Sequence, residues 1–266
     1  MSNYVLSDVH ARYRTLYRLL EKVGPLSSDR IWVLGDMVDY GPNPVAVMRL
    51  LKGLPHCTVL LGDHEDMMLD CFMHPHDEGK RMRWMLDGGA TTLDALRSLP
   101  TNTAFDLIDW VKGLPLTAYA ITYRRIFLLV HAGLRSLNFN ARSHWTKATA
   151  AALLRYQPRD DLLHLTDEFW GRPTGFVDER GDGPVVVAGH TPTDLVERYV
   201  ERCDHPARNE QGQLQVLHLG ATPTTGNIAD RWAIDCGAQG GAGYGRLAIV
   251  RLEDGREYYE PVLEGD

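Results

Sequence analysis

Five apolar runs in this 266-residue chain end in an acid or an imidazole, and that recurrence constrains the fold more than any other feature. The clusters are Ser7-Asp8-Val9-His10, Gly35-Asp36-Met37-Val38-Asp39 and Gly62-Asp63-His64-Glu65, then Val130-His131-Ala132-Gly133 and Ala188-Gly189-His190-Thr191-Pro192. A single Asp-x-His carries little information. Clusters at the ends of successive strands converge on one place when those strands are parallel neighbours.

The intervening sequence supports that arrangement. Tyr4 to Leu6, an amphipathic stretch bearing Leu16, Leu19, Leu20 and Val23, and Ile31 to Leu34 read as a βαβ unit. Pro44 through Leu51 predicts a second helix, with Pro44 in its first turn and Gly53 beyond its end, and Thr58 to Leu61 predicts a third strand. Residues 64–112 read as a helical cap region, with Met67, Met68, Leu69 and Phe72 spaced for one face. A hairpin of Ala118 to Thr122 and Ile126 to Val130 leads into His131. Further on, a helix is expected at Lys147 to Tyr156. Strands are expected at Val185 to Ala188, Leu214 to Leu217, Trp232 to Ile234, Arg246 to Arg251 and Glu257 to Tyr259. No repeat or linker divides the chain, so residues 1–266 read as a single domain carrying an insert at about 201–227.

Composition narrows the function classes. A hydrophobic content of 44% is ample for a core, and a formal charge of −7 gives no long-range attraction to a polyanion, so no nucleic-acid partner is expected. No apolar stretch approaches the roughly 20 residues of a bilayer span, so no membrane partner is expected. Cys57, Cys71, Cys203 and Cys236 are scattered without a metal or redox spacing. With no basic segment leading into an apolar one at the N-terminus, a cytoplasmic location is expected.

Carboxylates suit hard cations, and imidazole widens the choice to softer ones. Asp8, His10 and Asp36 can hold one divalent ion, and Asp36, Asp63, His131 and His190 a second, with Asp36 shared. Manganese is the first expectation, with iron, zinc or nickel as alternatives. Water between two such ions loses a proton near neutral pH and becomes a nucleophile. His64 is then left to donate a proton to a leaving group, with Asp39 orienting its ring. His56, His74, His76, His144, His164, His205 and His218 lack motif context and read as surface or ordinary core residues.

In this order the clusters resemble the signature of the bacterial phosphoprotein phosphatase (PPP) family of calcineurin-like metallophosphoesterases: GDxHG, GDxVDRG, GNHE, HGG or HAG, and GHTP. The likeness runs from Asn3 to about Leu252 and includes Asp235-Cys236-Gly237-Ala238. It implies an α/β four-layer sandwich, two mixed β-sheets flanked by helices. It further implies a metal-dependent phosphatase acting on a phosphoprotein or a small phosphoester, similar to serine/threonine protein phosphatases. Trp170-Gly171-Arg172 resembles the family's Trp-x-Arg segment, which implies Arg172 as a ligand of the substrate phosphate.

The departures bear on substrate. Tyr40 stands where the family carries a phosphate-binding arginine, and a phenol cannot form a bidentate, charge-assisted pair. A Tyr-Gly-Pro continuation is common in small prokaryotic phosphodiesterase relatives, so hydrolysis of dinucleoside polyphosphates or phosphodiesters is the alternative. Asp63 replaces an asparagine, adding charge at a metal position. Ser7 and Ala11 replace glycines, which is tolerable unless the backbone there needs positive φ. A metal-binding module without turnover is the reading of another class.

Overall fold

A computed structural model describes residues 1–201 and 203–266. Its ten strands form two sheets of five. The first contains β1 (Asn3–Leu6), β2 (Arg30–Val33), β3 (Cys57–Val59), β9 (Arg246–Arg251) and β10 (Arg256–Pro261), in the order β10-β9-β1-β2-β3. The second contains β4 (Thr117–Ile121), β5 (Ile126–Val130), β6 (Val185–Ala188), β7 (Leu217–Leu219) and β8 (Arg231–Ala233), in the order β4-β5-β6-β8-β7. Strands β1, β2 and β3 pair in parallel, as do β5, β6 and β8; the outer pairings are antiparallel.

Strand alternation explains why the two sheets face each other. Val5, Phe127, Leu129, Val185, Val187 and Val250 meet in one inter-sheet core. Their neighbours point the other way: Tyr4 and Leu6 pack under the helices of the first sheet, and Leu128, Val130, Val186 and Ala188 under those of the second. Two mixed sheets flanked by helices are therefore the direct product of period-two patterning. The expected four-layer sandwich is present.

Helix α1 (Tyr13–Val23) joins β1 to β2, and α2 (Pro44–Gly53) joins β2 to β3. Pro44 occupies the first turn of α2, and Gly24 ends α1 in the left-handed conformation (φ +58°). The cap region resolves into α3 (Asp63–Met73), α4 (Glu78–Trp84) and helices at Ala90–Arg97 and Thr101–Lys112. Among the described residues, no helix is long and apolar enough to cross a membrane.

One expected strand is displaced. Leu214 to Leu217 is not a strand; pairing with β8 begins at Leu217 and runs to Leu219. Leu214 instead makes an isolated bridge to Arg208, buries its side chain between the sheets and accepts a hydrogen bond from Arg246 Nε, so its carbonyl is used outside a ladder. Of the expected insert at 201–227, Arg202 lies outside the described residues.

Candidate active site

All the singled-out clusters follow the carboxyl ends of parallel strands: β1, β2 and β3 in one sheet, β5 and β6 in the other. The two sheets are tied together at this end, because the His131 ring Nδ1 donates to the Leu34 carbonyl at 2.6 Å. The backbone there is strongly bent. Asp8, His10, Ala11, Asp36, Asp39, Tyr40 and His190 all have φ between +46° and +68°, a region non-glycine residues enter at a cost and mostly at functional sites.

Two groups of side chains offer ligand atoms close together: Asp36, Asp63, His131 and His190, and His10, Asp36 and His64. Asp36 belongs to both. His131 Nε2 lies 3.5 Å from Asp36 Oδ1 and 2.9 Å from Asp63 Oδ1, and His190 Nδ1 lies 3.1 Å from Asp63 Oδ1. On the other side of Asp36, His10 Nε2 and His64 Nε2 stand 3.9 and 4.0 Å from Oδ2. The first group is the set expected from the sequence. The second brings His64 beside His10 and Asp36, while the Asp8 carboxylate accepts from the Ser7 hydroxyl and, at 3.0 Å, from the His190 amide. Ser7, in place of a glycine, supplies the hydroxyl that holds Asp8 there.

Whether cations fit is decided by charge. Asp8, Asp36, Asp63 and Glu65 are all buried within this cluster, and among the described residues none is paired with a lysine or arginine. Buried carboxylates without fixed cations are costly, and divalent ions at an oxygen and imidazole donor set offset that cost. The electrostatics agree. Burial, then the neighbouring charges of Asp63, Asp8 and Glu65, hold the Asp36 carboxyl well above its usual range. Burial alone would pull the His131 imidazole down, but its hydrogen bond to Asp63 and the charges of Asp8 and Asp63 push it up to about 9. Glycines keep the backbone pressed against the carboxylates: a Cβ at Gly62 would stand 2.1 Å from Asp36 Oδ1, and one at Gly189 2.1 Å from Asp8 Oδ2.

The His64 ring is held by Asp39. Its Nδ1 donates to Asp39 Oδ2 at 2.8 Å, which leaves Nε2 directed toward the cluster. Asp39 is itself fixed, accepting from Trp84 Nε1 at 2.8 Å and from the Thr92 hydroxyl at 2.5 Å. Burial works against the imidazolium, yet the Asp39 hydrogen bond and the surrounding carboxylates leave the His64 pKa raised.

Arg172, the residue the resemblance implied as a phosphate ligand, is not brought to the cluster by any contact among the described residues. It is exposed and lines a cavity with Arg135, Ser136 and Glu168 that includes none of the clustered acids or histidines. The reason lies in its backbone: the Phe169, Trp170 and Arg172 carbonyls all accept from Arg231 Nη1, which pins this segment against the second sheet.

Three residues given no role from the sequence lie at or beside the cluster. Glu65, wholly buried, accepts from the amides of Asp36 and Met37 at 2.8 Å and of Gly62 at 2.9 Å, so it shapes two of the clusters at once. Its place in the first turn of α3 was the available signal. Asp235, after β8, is buried close enough to Asp8 for their charges to interact, and its Oδ2 has no partner among the described residues. His164 stands beside His190, with ring centroids 6.2 Å apart, and no sequence pattern marks it.

Comparison with known proteins decides the family. Residues 1–218 match the model of the calcineurin-like phosphoesterases. The chain belongs to that family. A symmetrical bis(5'-nucleosyl)-tetraphosphatase of Dechloromonas aromatica (strain RCB) is 32% identical over 189 residues, covering 67% of this chain and 59% of that protein. The protein of the same name from Coxiella burnetii (strain Dugway 5J108-111) is 32% identical over 136 residues, 50% of this chain and 42% of that one. The chain thus spans about half the length of the curated relatives it matches. A solved structure provisionally described as a diadenosine tetraphosphatase superposes over 99% of this chain and 95% of its own, with a TM-score of 0.56 at 18% identity, a likeness of fold.

Proposed function

We propose that this protein is a metal-dependent hydrolase that cleaves the phosphate chain of a dinucleoside tetraphosphate symmetrically, releasing two nucleoside diphosphates. One observation carries the hydrolytic reading: Asp36 is shared by two ligand groups, and His64, held by Asp39, stands beside it. In this reading Asp36, Asp63, His131 and His190 hold one divalent ion and Asp36 and His10 a second, with Asp8 adjoining; manganese is the first choice. Bound there, such ions supply Lewis acidity and activate a water molecule for attack on phosphorus.

The chain's own residues then handle the leaving group. As the new P–O bond forms, the bridging P–O bond breaks and its electron pair goes to the departing phosphate oxygen, which takes a proton from His64 Nε2. A nucleoside diphosphate leaves from a phosphate oxygen whose second pKa is about 6, so it needs little help; an alkoxide needs much more.

Substrate choice rests on the names of the relatives and on Tyr40. The Tyr40 hydroxyl donates to Asp87 Oδ1 at 2.8 Å, and its ring meets His10 and His64 edge-on, with centroids 5.1 and 5.3 Å away. A neutral phenol already engaged offers a phosphomonoester dianion nothing comparable to a guanidinium. That weakens the phosphoprotein reading and favours the alternative raised from the sequence. A module without turnover is disfavoured because Asp63, with its altered identity, still meets Asp36, His131 and His190 in one ligand group.

The test is a substrate panel with manganese: diadenosine tetraphosphate, bis-p-nitrophenyl phosphate, p-nitrophenyl phosphate and a phosphoserine peptide, with nucleotides resolved by chromatography. ADP as the sole nucleotide product is expected, with kcat/KM at least about ten-fold above the others. Faster turnover of the peptide, or none of any substrate with any divalent metal, would overturn the proposal.

A further inference from the structure

A cavity of about 290 Å³ opens beside the metal-ligand cluster, between α3, α4 and His164. Asp63 is among its lining residues, with Asp66, Asp70, Lys80 and Arg83. Its carboxylates are largely neutralised. Asp66 is paired with Arg159 at 2.6 Å, and Asp70 with Lys80 at 2.6 Å and His74 at 2.9 Å. Asp63 is already committed to His131 and His190. Arg83 alone among these cations has no ion pair or side-chain hydrogen bond among the described residues, and it is exposed.

An unpaired guanidinium in a cavity that Asp63 also lines can meet an anion held beside the ligand cluster. We propose that Arg83 binds a phosphate of the substrate adjacent to the one being attacked, with the His164 ring as a neighbouring polar wall. This rests on the reading of the substrate as a polyphosphate, because a monoester has no second phosphate to place there. It also supplies the arginine that position 40 lacks and that Arg172, in another cavity, does not provide. Arg is suited to the task by its planar fork of donors, which matches two phosphate oxygens at once.

Three variants test it: Arg83→Gln, Arg83→Lys, and Arg81→Gln as an exposed cation on the same helix outside the cavity. The readouts are kcat and KM on diadenosine tetraphosphate and on p-nitrophenyl phosphate, and binding of a methylene-bridged, non-hydrolysable tetraphosphate analogue by calorimetry. For Arg83→Gln, the ratio of kcat/KM between tetraphosphate and p-nitrophenyl phosphate should fall about ten-fold or more, mainly through KM, with analogue binding weakened to match. Arg83→Lys should recover part of the loss, and Arg81→Gln should leave the ratio unchanged. An unchanged ratio in Arg83→Gln, or an equal loss in Arg81→Gln, overturns the subsite. If the wild-type protein does not turn over the tetraphosphate, the substrate reading fails on its own. The calorimetric arm then decides the subsite, and equal analogue binding by wild type and Arg83→Gln refutes it.

Discussion

On the floor of the site Asp36, Asp39, Asp63, His64 and His131 are buried, and each is tied to a backbone group or a second side chain; on the rim Tyr40 and Arg83 are exposed. Floor positions are determined several times over. Glu65 alone receives amides from both sides of the cluster, and Asp39 holds His64, Trp84 and Thr92 together. Rim side chains are held more loosely: the Tyr40 hydroxyl has the one partner Asp87, and Arg83 has no ion pair or side-chain hydrogen bond among the described residues. Under the proposed function the difference separates two tasks: the floor would fix the chemistry, while the rim would change the substrate without disturbing it.

The largest effect belongs to the floor. His64→Ala should lower kcat by about 10²- to 10⁴-fold on an alkyl phosphate, but much less on diadenosine tetraphosphate, whose leaving group needs little protonation. Equal losses on both would remove His64 as the proton donor. Next, Glu65→Ala leaves several buried amides without an acceptor and should cost at least about 3 kcal/mol in urea unfolding, with metal binding lost in parallel. A loss below about 1 kcal/mol would mean that the loops do not depend on it.

At the rim, Tyr40→Arg should shift preference toward p-nitrophenyl phosphate by about ten-fold relative to diadenosine tetraphosphate, with little change in melting temperature. A change of both substrates together would erase the distinction between floor and rim at this position. The smallest effect concerns backbone strain. Ala11 sits at φ +57°, which glycine accepts freely, so Ala11→Gly should stabilise by about 0.5–1 kcal/mol, or a rise of about 1–4 °C. A fall would show that the buried methyl outweighs the strain.

The same division explains what could be read from the sequence. The floor was legible because a strand of period two followed by an acid or imidazole is a local pattern, and five of them in parallel connection leave little freedom of placement. Asp63, His131 and His190 meet around Asp36 as that pattern requires. Ala11 was read as tolerable unless φ is positive, and φ is positive. The rim was not legible, since it is built from contacts between distant segments. Tyr40 meets Asp87 across 47 residues, and Arg231 pins the carbonyl of Arg172 across 59. Nothing near Arg172 or His164 in the chain announces which cavity each will line. Leu214 was misread for the same reason, because its carbonyl is claimed by a distant arginine rather than by a neighbouring strand.

The most direct measurement is native mass spectrometry of the chelator-treated protein titrated with manganese, alongside turnover of diadenosine tetraphosphate. Two ions per chain are expected, with activity appearing only as they bind, and Asp36→Ala should lose both ions and turnover together because Asp36 serves both groups. Full activity in the metal-free protein, or two ions retained by Asp36→Ala, would contradict a shared-carboxylate metal centre.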